Sequence, residues 1–573
     1  MTLNDALDRA VGHDSGLTFV DARERDTFLP WREVRERALR VAAELTARGV
    51  RKGERVAIVL PTAPDFCDAF FGALYAGAVP VPLYPPVRLG RLDEYHRATA
   101  RMLQAVDARI VVTDARVRLL LGQALGMARP ALGMCTASEL VAGKRGQAAS
   151  PAAEDLALIQ FSSGSTVDPK PVALTHRALI EQTGLLKSHL PEVPGVRTVG
   201  VSWLPLYHDM GLIGCLLAAV HWPGSLVLIP PELFLAKPAL WLRTISRFRA
   251  TISPAPNFAF GLCLKRVRDE ELDGVDLSSW TYAPTGAEPI SIQVLQRFGQ
   301  RFASVGFRSE ALVPAYGLAE AGLAVTLGRR GGALRAAQID PQHLARTGEI
   351  RDGERAVASV GAPVSGFEVE VRDEQNAALP PGRVGRIHVR GPSLMEGYFG
   401  APEATSRALV DGWLDTGDLG FMRDSELYVT GRARDIVVIR GANHVPQEFE
   451  ECLDGIPGVR AGCTAAVGYL PAQTIGEELL LLVETTADAP QDLAAQVQAR
   501  VAEHTGIRPH AVELLRPGTL PRTSSGKLRR REALRRYLAG ELRPPKKPGA
   551  AGMVLEMARS VAAYALSRQT PEP

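Results

Sequence analysis

The chain is poor in cysteine. Six residues in 573, Cys67, Cys135, Cys215, Cys263, Cys452 and Cys463, stand far apart, and no pair has metal-ligand or redox spacing. This excludes a disulfide scaffold or a zinc module and points to free thiols in a reducing compartment. No run of about 18 apolar residues occurs, so no membrane-spanning helix is expected. The opening MTLNDALDRAVGHD lacks the apolar region of a secretory signal, and the expected location is cytoplasmic. A net charge of +3 gives no electrostatic footprint for nucleic acid. Two nucleotide and acyl-transfer patterns are also missing: the two-glycine P-loop and a G-x-S-x-G nucleophile elbow at a strand-to-helix turn.

What is present is ordinary globular composition, 46% hydrophobic and 23% charged, in a chain long enough for two or more domains. Apolar runs alternate with amphipathic stretches. Helices are expected at 32–48, 64–77 and 93–106, and strands at 55–60 and 108–113, which argues for α/β layers with parallel strands. Further strands are expected at 198–206, 225–230, 280–284 and from 312, several ending in polar motifs, where α/β proteins place their sites. Residues 329–358 are charged and irregular and read as a surface excursion. A β-rich stretch follows from Gly361, and a compact α/β unit from Gly431. The tail opens with PPKKPGAAG, a linker signature, and closes on a short amphipathic helix expected to pack against its own chain.

The densest polar cluster is FSSGSTVDPKPVALTH, after an apolar strand at 156–161. Ser162, Ser163, Gly164, Ser165 and Thr166 offer hydroxyls and backbone N–H groups, and Lys170 a positive charge, to an anion such as phosphate. Alone, such a loop is more often a solvated turn. Five further motifs follow it in order: TGAEP at 285–289, YGLAE at 316–320, DTGD at 415–418, GRARD at 431–435 and PRTSSGKLRR at 521–530.

This ordered set resembles the adenylate-forming superfamily of acyl-CoA synthetases, luciferases and nonribosomal peptide adenylation domains, over residues of about 15 to 540. VPVPLYPPVRLGRLDEYHRATARML, LPLYHDMGLIG, TGAEPI and RGANHVPQEFE look like the fatty acyl-AMP ligases in particular. The resemblance implies a large N-terminal adenylation domain over 1–430, with two layered α/β subdomains, a small β-rich subdomain and a family insertion at 329–358. It implies a smaller mobile α/β domain over 431–543, then a linker and helical tail at 544–573. The reaction implied is ATP-dependent activation of a fatty acid to acyl-AMP with Mg²⁺, followed by acyl transfer to the phosphopantetheine thiol of an acyl carrier protein on a separate chain. An acyl-CoA synthetase and a non-catalytic adenylate- or acyl-binding homologue are the alternatives.

Carried onto this sequence, the motifs assign the phosphates to the 162–170 loop. They give adenine to Tyr316 and the backbone around Gly286, Ala287 and Glu288, and count Gly317, Leu318 and Ala319 among the cofactor-binding residues. The ribose goes to Asp418 and Arg432. Glu320 is assigned to Mg²⁺ and catalysis, and Lys527 to the developing charge of the transition state. His208, Asp209, Met210, Gly211 and Gly214 are assigned to the acyl substrate, His208 also to catalysis, and Arg434 to the hinge. Gly441, Asn443 and His444 are expected along the pantetheine path. Val167 and Pro171 stand where relatives carry glycine, which predicts a stiffer phosphate loop.

Overall fold

The computed structural model describes residues 1–86, 89–162, 169–190, 197–471, 476–523, 526–545 and 549–569. The α/β reading holds. Four parallel strands, Val79–Pro82, Arg55–Val59, Ala108–Thr113 and Met134–Thr136, form one sheet in that spatial order. A second sheet runs Asp26–Pro30, Gly16–Val20, Ser225–Leu228 and Val199–Ser202. Single bridges through Ile252 carry it on to Tyr282 and to the parallel pair Ala283–Thr285 and Leu312–Gly317. The helix Trp31–Ala47 buries Val34, Leu39, Ala42 and Leu45, the apolar stripe of its sequence, against the helix Pro64–Tyr75.

The Ser/Thr motif at 162–170 follows the expected strand, Leu156–Phe161. Between it and the helix His176–Ser188 lies a fully buried strand, Pro171–Thr175, antiparallel to Leu156–Phe161. The two strands therefore form a hairpin. Its neck is closed by Ser162 N–H donating to the Lys170 carbonyl at 2.9 Å and Lys170 N–H donating to Ser162 Oγ at 3.3 Å. PVALT reads as strand only when its partner is known, because a five-residue apolar run fits several states.

The 329–358 segment is also more ordered than its composition implied. Strands Ala336–Ile339 and Arg355–Ala358 pair antiparallel around a short helix, Pro341–Thr347. Asp340 caps that helix by accepting from the Gln342 and His343 N–H groups, and Gly348 ends it with φ +71°. Charge on its outer residues conceals the hairpin from a reading of composition.

Strands Glu368–Arg372, Gly385–Arg390, Trp413–Arg423 and Glu426–Arg432 form an antiparallel sheet. Beyond it, Val459–Tyr469, Glu478–Thr485 and Ala511–Leu515 carry the helices Leu493–Thr505 and Arg530–Leu538 around their own apolar clusters. The final helix, Ala550–Gln569, crosses back to lie along Arg118–Ala128, as expected of a tail packing on its own chain. Gly122 and Gly126 provide the close approach: a Cβ at Gly122 would run into the Ser560 carbonyl. Ser560 Oγ accepts from Gly122 N–H at 2.7 Å, and Tyr564 Oη accepts from Met134 N–H at 3.0 Å. Among the described residues no helix is long and apolar enough to cross a membrane.

Candidate active site

The polar motifs converge on one cavity of about 1260 Å³, although they are spread over more than 350 residues of chain. Parallel strands bring three of them together. Gly286 follows the strand Ala283–Thr285, Tyr316 ends the neighbouring strand Leu312–Gly317, and His208 follows Val199–Ser202, all at carboxyl ends. A Cβ at Gly286 would stand 2.6 Å from the Ala315 carbonyl oxygen, so glycine lets these two strand ends close. The next residue, Ala287, has φ +67°. For a residue with a Cβ that conformation costs about 1–2 kcal/mol, strain stored where the chain lines the cavity.

DTGD forms a protrusion from its sheet. His388 pairs with Asp415 and Arg386 with Leu419, so Ile387 alone faces Thr416, Gly417 and Asp418. Gly417 takes φ +75°, its N–H donates to Asp415 Oδ1 at 3.0 Å, and Thr416 Oγ1 donates to the Ile387 carbonyl at 2.8 Å. The bulge aims Asp418 into the cavity. There it accepts from Tyr316 Oη at 2.8 Å and lies 3.2 Å from Arg432 Nε, its cross-strand neighbour. An ionised carboxylate has about four lone-pair sites, so Asp418 retains capacity for a diol beside these two donors.

Also lining the cavity, Lys170 Nζ lies 4.2 Å from the centre of the Tyr398 ring, and Tyr398 Oη donates to Glu320 Oε1 at 3.0 Å. Burial raises the Glu320 carboxyl above its usual range, and the Asp209 charge adds to this against the opposing Tyr398 hydroxyl and Lys170. Such a carboxylate gains from a nearby cation. His208 Nδ1 is 2.6 Å from Asp209 Oδ1. Burial pushes Asp209 up, but His208 and Lys527 together draw it below the ordinary value.

Lys527 enters from the C-terminal unit on a tight turn, with Gly526 at φ +91° and Thr523 N–H donating to the Lys527 carbonyl at 2.8 Å. Burial, and then the Arg432 guanidinium, hold its ammonium below the usual lysine range, opposed by Asp209, Glu288 and Asp418. Hence Lys527 senses groups from four separate motifs. Glu288, raised by burial, accepts from Phe258 N–H at 2.6 Å.

Most of the residues singled out from sequence line this cavity. They include Ser162, Met210, Gly214, Leu318 and Ala319 as well as the side chains already placed, and Arg434 at its edge. Ser163, Gly164, Ser165, Thr166 and Val167 lie outside the described residues. Gly211 does not line it: a Cβ there would stand 2.3 Å from the Pro205 carbonyl oxygen, so its lack of a side chain serves backbone packing instead of a passing chain. Gly441 and Asn443 are exposed, and His444 is buried 2.5 Å from Glu448 Oε1; none of the three lines the cavity in this arrangement. Sequence reasoning missed Tyr398, whose place comes from pairing of Gly397–Tyr398 with Val172 and Ala173, more than 200 residues earlier. It also missed Arg386, which pairs with Asp415 at 2.5 Å. No local pattern marks either.

The AMP-binding enzyme family model matches residues 7–399. The chain belongs to the AMP-binding enzymes. Over 556 residues it is 37% identical to a putative acyl-CoA synthetase of Caulobacter vibrioides, covering 94% of this chain and 96% of that one. It is 32% identical over 544 residues to JamA of Moorena producens, named a medium-chain-fatty-acid–[acyl-carrier-protein] ligase, covering 90% of each. A solved structure from work on fatty acyl-adenylate ligases of E. coli and L. pneumophila superposes with a TM-score of 0.89 at 34% identity, covering 94% of this chain and 98% of that one. This AMP-binding enzyme therefore has the adenylate-forming fold expected of it.

Asp418 with spare acceptor sites, the cations Lys170, Arg432 and Lys527, and the cleft beside Gly286 and Ala287 fit a nucleoside triphosphate. Among the described residues no three His, Cys, Asp or Glu side chains group to hold a metal alone. Mg²⁺ bound to nucleotides characteristically takes one or two carboxylates with phosphate oxygens, and Glu320 fits that requirement.

Proposed function

We propose that this AMP-binding enzyme activates a fatty acid with ATP and passes the acyl group to the phosphopantetheine thiol of an acyl carrier protein on a separate chain. The observation that carries the reading is that Lys527, Asp209, Glu288, Arg432 and Asp418 line one cavity whose walls also include the apolar Cys215, Ala218, Leu226 and Leu323.

In the first step a carboxylate oxygen attacks the α-phosphorus of ATP. The bond from that phosphorus to the bridging oxygen breaks, and pyrophosphate leaves. Two anions must be brought together, so the residues neutralise and align charge, and no side-chain nucleophile is required. Asp418 and Arg432 hold the ribose, Tyr316 covers the adenine, and Ser162 and Lys170 at the hairpin neck face the phosphates. Lys527 meets the charge on the carboxylate and α-phosphate. His208 and Asp209 border the carboxylate. Glu320 would hold Mg²⁺, which when bound would supply charge neutralisation at the triphosphate.

In the second step the thiolate sulfur attacks the acyl carbonyl and AMP leaves. The unit over 431–543 turns about Arg434 between the steps, withdrawing Lys527. The 329–358 segment bears on that motion. Arg355 Nε lies 3.6 Å from Glu451 Oε2, and Gln342 Nε2 donates to the Thr505 carbonyl at 3.3 Å, so the segment grips the C-terminal unit in the present arrangement.

JamA's name supports a carrier protein as acceptor, whereas the name of the Caulobacter relative favours coenzyme A. Mass spectrometry after incubation with ATP, a fatty acid and either holo-carrier protein or coenzyme A separates these. Acylated carrier protein with little acyl-CoA is expected, and acyl-CoA as the main product would overturn the choice of acceptor.

A further inference from the structure

Lys527 lies on a turn that an antiparallel bridge between Arg522 and Leu528 closes, three residues before the start of a helix. Such a turn does not aim a long side chain by itself. Within it, Lys527 N–H donates to Thr523 Oγ1 at 3.0 Å, Arg522 donates to the Gly526 carbonyl at 2.8 Å, and Arg529 N–H donates to the Pro521 carbonyl at 3.0 Å, while Arg522 also reaches out to the Gly462 carbonyl at 2.8 Å. The helix Arg530–Leu538 begins immediately afterwards, and its first residue makes a second connection to the rest of the unit beside that of Arg522.

Arg530 is bidentate to Glu450, with Nε to Oε1 at 2.7 Å and an amino nitrogen to Oε2 at 2.6 Å, while its other amino nitrogen reaches Asp435 Oδ2 at 3.2 Å. All three side chains are nearly shut off from solvent, at 13% exposure for Arg530 and Glu450 and 3% for Asp435. Glu450 Oε1 also accepts from Ala466 N–H at 2.9 Å, tying the cluster to the strand Val459–Tyr469. Next to it, Arg531 Nε donates to the Arg434 carbonyl at 3.2 Å. Two consecutive arginines after the Lys527 turn therefore grip the turn Ala433–Asp435 by one carboxylate and one carbonyl. Arg432, one residue before that turn, is instead paired with Asp418 in the other sheet.

We infer that Arg530 is a positioning residue that fixes the Lys527 turn to the hinge, so that the two move as one body and the chain pivots between Arg432 and Arg434. A planar fork on two buried carboxylates holds orientation as well as distance, which a lysine at 530 would not do. The proposal rests on the function proposed above. It adds that adenylation, where Lys527 must be in place, depends on Arg530, whereas acyl transfer, where Lys527 is withdrawn, does not.

The test compares wild type with Arg530→Lys and the milder Glu450→Gln. Fatty-acid-dependent pyrophosphate exchange is expected to fall by about tenfold to a hundredfold in kcat for Arg530→Lys, the cost of a misplacement on the order of 1 Å, with little change in the ATP KM. Transfer from supplied lauroyl-adenylate to holo-carrier protein is expected to stay near wild type. Hydrogen–deuterium exchange gives a readout that needs no turnover: uptake is expected to rise together in peptides over 433–438 and 521–529. Equal losses in both half-reactions, or uptake that rises in one peptide without the other or in neither, would overturn the inference. A wild-type enzyme inactive with every fatty acid would defeat the proposed function, while the paired uptake would still decide the coupling.

Discussion

Tyr316 donates its hydroxyl to Asp418 at 2.8 Å, joining the YGLAE strand end to the DTGD bulge 102 residues later. Because Arg432 approaches the other carboxylate oxygen at 3.2 Å, Asp418 is held from both sides. It is thus a fixed acceptor.

This arrangement separates the two residues' contributions. Asp418→Asn removes the charge that a ribose diol would bond, worth about 1.5–3 kcal/mol, so the ATP KM should rise roughly tenfold to a hundredfold. Tyr316→Phe keeps the ring and the carboxylate charge and frees an acceptor site on Asp418 for the diol, so the KM should rise less than in Asp418→Asn. Initial-rate kinetics on both variants check the pair. A larger effect from Tyr316→Phe would mean that the hydroxyl, and not the carboxylate, carries the recognition.

The pH dependence follows from Lys527. Burial and Arg432 both disfavour its charged form, so the free enzyme loses this proton at lower pH than an ordinary lysine of about 10.4. The alkaline limb of kcat/KM for ATP, which reports the free enzyme, should therefore fall below that value. Arg432→Gln removes a like charge and should move the limb to higher pH while lowering the rate. A limb that stays in place in that variant would show that another group titrates there.

Much of this site was legible because its chemistry is local in sequence. DTGD and GRARD stand as short contiguous motifs that name Asp418 and Arg432, and PRTSSGK places a lysine in a Ser/Gly-rich loop. Tyr398 was not legible, since its position between Lys170 and Glu320 is created by strand pairing to Val172 and Ala173. Gly211 was misjudged for a related reason: only the packed structure shows whether an absent Cβ faces a cavity or a carbonyl. In the fold, periodicity located 108–113 as strand to the residue, because β-branched residues dominate it. Charge at 329–358 hid a hairpin. The helix at Leu212–Leu217, which presents Gly214 and Cys215 to the cavity, has π-type turns that no sequence pattern announces.

The tail offers a test of packing apart from chemistry. A Cβ at Gly126 would stand 3.9 Å from the Ala563 Cβ, within the range of about 3.5–4.5 Å that a disulfide spans. A Gly126→Cys, Ala563→Cys double variant should cross-link on mild oxidation, read as protection of both thiols from alkylation in intact mass spectra. Two freely alkylated thiols would place the tail elsewhere. Outward on the same helix, Val554, Leu555, Val561 and Leu566 are more than half exposed, at 67%, 51%, 51% and 66%, while Ser560 and Tyr564 turn inward.

The most direct test of the account is pyrophosphate exchange into ATP by wild type and Lys527→Ala across fatty acids of rising length. Wild type should exchange only with a fatty acid present. Lys527→Ala should lose about a hundredfold or more in kcat with the ATP KM nearly kept, as expected when a group acts on charge that develops in the transition state. Exchange by Lys527→Ala at the wild-type rate, or none by wild type with any fatty acid, would contradict it.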